Sequence, residues 1–125
     1  MTSLHSLRVE AVVAADYSAR LVDRERVEGL LCALSDEAGP GQSSYDPQVA
    51  MLDGPESGLS AVCIFPGGHV TLHTFEAKGR LPGRYVLEIT ACDPLDTSTL
   101  ILLAERHLGL PSDYQASTRT RGWTV

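Results

Sequence analysis

The 125-residue sequence predicts an α+β fold: a two-layer α/β sandwich, an antiparallel sheet with two helices on one face. Three observations predict it. Two segments place apolar residues at helical period. Several others alternate at period two, or form short apolar runs of strand length. The resulting order is β-α-β-β-β-β-α, with strands following one another through the middle of the chain.

The first strand is SLRVEAVVAA (6–15), which has β-branched residues and partial alternation. Asp16 to Val22 turns the chain. From Asp23 the period changes, and Val27, Leu30, Leu31, Leu34 and Ala38 share one helical face. Asp23 is a candidate N-cap, Glu25 complements the helix dipole, and the Gly-Pro-Gly at 39–41 ends the helix. Residues 41–47 read as loop, 48–52 as a short strand and 53–58 as a turn. LSAVCIF (59–65) is a nearly continuous apolar strand. HVTLHTF (69–75) sets Val70, Leu72 and Thr74 against His69, Thr71 and His73, so it too is a strand. A long hairpin connection (76–83) leads to RYVLEITAC (84–92), where Tyr85, Leu87, Ile89 and Ala91 oppose Val86, Glu88, Thr90 and Cys92. Within 93–109, Asp93 or Asp96 caps a second helix that Gly109 stops. Residues 110–125 read as a polar tail anchored by Trp123. The expected division is a domain over 1–109 and a C-terminal tail over 110–125.

Composition narrows the function. Ten Lys and Arg against sixteen Asp and Glu give a net charge of −6, which disfavours nucleic acid as a partner. The only local basic feature is Arg119 with Arg121. No apolar run approaches the roughly 20 residues that cross a bilayer, and the N-terminus lacks signal-peptide features. The expectations are a cytoplasmic protein with no membrane partner. Cys32, Cys63 and Cys92 lack metal-knuckle spacing and read as thiols, the first two in the core.

His69 and His73 would share a zinc ion if they lay on a helix. On a strand they share a face about 13 Å apart, at roughly 3.3 Å per residue, so no metal site is expected. Two glycines precede them, which points to a backbone that something approaches closely. A phosphate-binding loop and a serine-nucleophile elbow are both absent from the sequence.

From Gly58 onward the chain resembles the bacterial S-adenosylmethionine decarboxylase proenzymes, small pyruvoyl enzymes of polyamine synthesis. These carry a Glu-Ser-His-x-Ser-Ile-His-Thr-Trp motif and, further on, a Thr-Cys element. In GLSAVCIFPGGHVTLHTF, the residues Ser60, His69, Thr71, His73, Thr74 and Phe75 fall in register, and LEITAC places Cys92 at the cysteine. The resemblance covers roughly residues 7–108, with specific signatures at 58–75 and 85–92. It implies an S-adenosylmethionine decarboxylase-like two-layer sandwich that forms a homodimer, with ligand sites built from both subunits. It also implies that Ser60 and His73 match residues that assist self-cleavage, and that Cys92 matches a proton donor.

The departures carry as much as the matches. In the family the serine of the Glu-Ser pair attacks the preceding carbonyl and becomes the pyruvoyl group, which takes up the electrons released with carbon dioxide. Here that pair is Gly67-Gly68, so the hydroxyl and the carbon skeleton of the cofactor are both missing. No pyruvoyl group and no pyruvoyl-dependent decarboxylation are expected. S-adenosylmethionine or a related sulfonium remains the expected ligand. His73, Cys92 and Ser60 are the candidate catalytic residues. Phe65, Gly67, Gly68, His69, Phe75, Glu76 and Glu88 are the candidate binding residues, with Phe75 or Phe65 as an adenine plate and Glu76 or Glu88 as the ribose carboxylate. The alternatives are a regulatory partner of a pyruvoyl-bearing paralogue and a binding module for another small molecule.

Overall fold

The computed structural model describes residues 2–39, 46–53 and 57–123. The loop expected at 41–45, the centre of the 53–58 turn and the Trp123 side chain lie outside the described residues. Strand β1 (Thr2–Val13) leads into a 3-10 segment (Ala15–Val22) and helix α1 (Arg24–Ala38). Strands β2 (Gln48–Leu52), β3 (Gly58–Phe65), β4 (Gly68–Phe75) and β5 (Arg84–Ala91) follow. Helix α2 (Thr97–Leu108) and strand β6 (Pro111–Trp123) complete the order.

All strand neighbours are antiparallel, in the order β2-β3-β4-β5-β1-β6. Period-two patterning sorts each strand into a buried and an open face. Leu7, Val9 and Ala11 of β1, Val70 and Leu72 of β4, and Leu87 and Ile89 of β5 form the buried one. Against them lie Val27, Leu30, Leu31, Leu34 and Ala38 of α1, the five residues that the helical period selects. Full burial of each valine or leucine among them contributes about 1.5–3 kcal/mol. Leu100, Ala104 and Leu108 turn α2 onto the same layer, where α2 also meets α1. The α+β two-layer architecture is therefore as expected, with both helices on one side.

Capping residues set the helix starts. Asp23 accepts a hydrogen bond from the Arg26 amide, and Asp96 rather than Asp93 caps α2 by accepting from the Thr99 amide. Cys63 is in the core, but Cys32 is only half-buried.

One expectation fails outright: residues 111–123 are not a tail but the edge strand β6, paired with β1 along nearly its whole length. Its residues from Ser112 to Gly122 are exposed, so burial left no apolar alternation for the sequence to display. Backbone hydrogen bonds to β1 hold it instead. The same pairing lengthens β1, because Thr2, Ser3 and Leu4 have partners on β6 and none on β5.

Candidate functional site on the open sheet face

The sheet face opposite the helices carries most of the candidate residues, because every second position of β3, β4 and β5 points there. Ser60 on β3 and His73 on β4 are direct cross-strand partners, and Ser60 Oγ lies 2.9 Å from His73 Nδ1. His73 is exposed, with Val86 of β5 on its other side.

Two residues along β4, Phe75 faces Arg84 of β5, and the Arg84 guanidinium sits 4.6 Å from the centre of the phenyl ring. Such a contact is worth about 0.5–2 kcal/mol. These two side chains line a groove of about 360 Å³ together with Glu10, Tyr85, Asp113 and Tyr114. Arg84, Glu10, Asp113 and Tyr114 carry no motif, and only the strand order brings them beside Phe75. Sequence reasoning missed all four, and the strand pairing was the only signal that marks them.

Cys92 and the glycine pair occupy the opposite end. Pro66 and Gly67 form the two-residue turn between β3 and β4, with Gly67 at φ +86°, the conformation a glycine after proline adopts in a type II turn. The Cys92 amide donates to the Gly67 carbonyl at 3.0 Å. A Cβ on Gly67 would lie 3.6 Å from Cys92 Sγ. Gly68 is enclosed: a Cβ there would come within 2.1 Å of the Thr90 carbonyl oxygen and 2.7 Å of the Phe65 ring.

That contact explains Phe65, which is in the core at 3% exposure and faces the helices. Of the two phenylalanines, Phe75 is thus the one on the open face, and Phe65 is a packing residue. His69 is exposed on the open face between Ile64 and Thr90. Glu88 is paired with Arg8, which also reaches Glu10 at 2.8 Å. The hydrogen bond to Glu10 and the nearby Glu88 charge raise the Arg8 pKa above its ordinary value. Glu76 lies one residue beyond Phe75, where the Ser57 hydroxyl donates to it at 2.8 Å. Among the described residues no three His, Cys, Asp or Glu side chains converge on a common point.

The candidates therefore form two groups. Ser60, His73, Phe75 and Glu76 lie toward one end, and Gly67, Gly68, His69 and Cys92 toward the other. Six strand positions separate His73 from Gly67, or about 20 Å at roughly 3.3 Å per residue. Within one copy His73 and Cys92 do not meet.

No protein-family model matches the chain. No curated protein matches it either. Among solved structures it is similar to the crystal structure of the adenosylmethionine decarboxylase from Aquifex aeolicus VF5, with a TM-score of 0.70 and 17% sequence identity over 99% of this chain and 93% of that one. The fold is therefore adenosylmethionine decarboxylase-like. At this identity the likeness speaks to the fold alone.

Proposed function

We propose that this chain binds S-adenosylmethionine or a related sulfonium without a pyruvoyl group, and acts on it by elimination or intramolecular displacement. The observation that carries the reading is the Ser60–His73 hydrogen bond, standing on the open face beside the Phe75–Arg84 groove. Phe75 offers a face to an adenine ring, and Asp113 and Glu10 supply carboxylates nearer to it than Glu88. A sulfonium is already activated. When the ligand's own carboxylate displaces it, the carbon–sulfur bond breaks and its electron pair leaves with a neutral thioether, so no electron sink is required. An elimination needs in addition a base, and His73 is placed for that role.

The roughly 20 Å between His73 and Cys92 supports a homodimer whose sites use both copies. Two open faces stacked antiparallel would set the Ser60–His73 pair of one copy against the Gly67–Cys92 end of the other. The exposed Ile64, and the lack of any helix on this side among the described residues, favour such cover. The same geometry favours a second reading, in which the chain lends Ser60 and His73 to a pyruvoyl-bearing partner.

Calorimetry with S-adenosylmethionine tests the proposal. We expect micromolar binding, on the order of 8 kcal/mol, weakened about tenfold by Phe75→Ala. Product mass spectrometry should show turnover lost more completely than binding in His73→Ala and Cys92→Ala. No heat at millimolar ligand would overturn the ligand site and leave the regulatory reading.

A further inference from the structure

The two edges of the sheet differ. Strand β2 has five residues, whereas β6 has thirteen and is the longest strand of the sheet. An unpaired edge presents backbone donors and acceptors to any passing strand, and sheets protect it with shortness, charged side chains (lysine above all), proline or bulges. Shortness protects β2. In β6 there is no lysine, the only proline is its first residue, the one register shift lies where Val12 and Val13 pass its start, and its charged residues, Asp113, Arg119 and Arg121, are of both signs and can pair with a second copy of the strand.

We propose that β6 pairs with β6 of a second copy, antiparallel about a twofold axis at Ser117, joining two six-stranded sheets into one of twelve strands. The strand is self-complementary about that residue. Full-length overlap places Asp113 opposite the partner's Arg121 and Gln115 opposite the partner's Arg119, while Ser117 faces its own copy. Ala116 and Thr118 flank the axis, so the centre is built from small side chains. Directly opposed residues share a sheet face, so both helical layers stay on one side. The twofold axis generates the Asp113–Arg121 pair twice. Each Arg121 thereby meets a carboxylate. Asp113 also lines the Phe75 groove, which puts the partner's Arg121 at the rim of that groove. Edge pairing leaves the open face uncovered, so it does not depend on face stacking, while Asp113 is shared between the edge contact and the groove.

Light scattering and disulfide trapping on the full chain test the pairing. Asp113→Arg should halve the native mass, with circular dichroism confirming that the variant is folded. Adding Arg121→Asp should restore the original mass. Opposed Cα atoms in an antiparallel pair lie about 4.5–5.5 Å apart, within disulfide reach. In a Cys92→Ser background, Ser117→Cys should therefore crosslink two copies under mild oxidation, and Ala116→Cys, which opposes Thr118, should not. A monomeric native chain, a mass that Asp113→Arg leaves unchanged, or equal crosslinking of the two variants would overturn the proposal. Calorimetric binding of S-adenosylmethionine is read separately, so failure here leaves the nucleoside site standing.

Discussion

Gly68 concentrates the question that the sequence raises. Its missing hydroxyl is visible in the sequence, but the lack of space around it is not. With the Thr90 carbonyl oxygen 2.1 Å from where a Cβ would sit, and the Phe65 ring at 2.7 Å, the backbone has closed on a bare α-carbon. Gly67 adds a second commitment through its φ of +86°, which an L-residue holds only at a cost of roughly 1–2 kcal/mol. Restoring the serine thus does not restore the geometry of a self-cleaving site. Gly68→Ser should destabilise the protein by about 1–3 kcal/mol or more in urea titration, because carbonyl and ring must both move. Denaturing mass spectrometry of that variant should still give one chain near 13.4 kDa, apart from initiator Met loss. Two fragments meeting at residues 67 and 68 would show that the turn can be reopened.

Strand β4 shows how one element serves both faces. His73 and Phe75 point to the open side, while Thr74 between them is buried at 2% exposure. The Thr74 hydroxyl donates to the Leu21 carbonyl at 2.6 Å and accepts from the Leu59 amide at 2.9 Å. It ties the 3-10 segment and β3 to β4, and so holds the strand that carries His73. Thr74→Val keeps the shape but leaves both backbone groups without this partner, and should cost about 1–3 kcal/mol per group left unsatisfied. A midpoint within error of wild type in chemical denaturation would refute that role. The sequence marked Thr74 as inward through simple alternation. It could not mark β6, whose exposed residues show none of the apolar periodicity that burial imposes on β4 and β5.

At the scale of the whole molecule, the helix-facing side of the four inner strands, β3, β4, β5 and β1, is buried and the other side is open. Tyr85 feels the difference, since burial and, secondarily, the Glu105 carboxylate push its phenol up from 10.0 to about 12. The folded state therefore holds this proton more tightly than the unfolded chain. Its contribution to stability is fully present below pH 10 and is lost as pH rises toward 12. Stability measured by urea titration between pH 8 and 11.5 should fall more steeply for wild type than for Tyr85→Phe. Equal slopes would show that Tyr85 is not the coupled group.

The sequence by itself determined the α+β class, the five apolar positions of α1, the strand assignment of 69–75 and the common face of His69 and His73. Each follows from local periodicity, which a chain displays wherever burial selects every second or every third to fourth residue. Helix caps were legible for a related reason, because their chemistry is complete within a few residues. Tertiary structure alone decided the strand order, and with it the Phe75–Arg84 groove, the edge position of β6 and the enclosure of Gly68. It also separated His73 from Cys92 by some 20 Å, at roughly 3.3 Å per strand residue. These depend on which strands lie side by side, and pairing through backbone hydrogen bonds leaves little imprint on side-chain identity. That is why a motif spanning residues 60–92 reads as one site in the sequence and occupies two ends of a sheet in the fold.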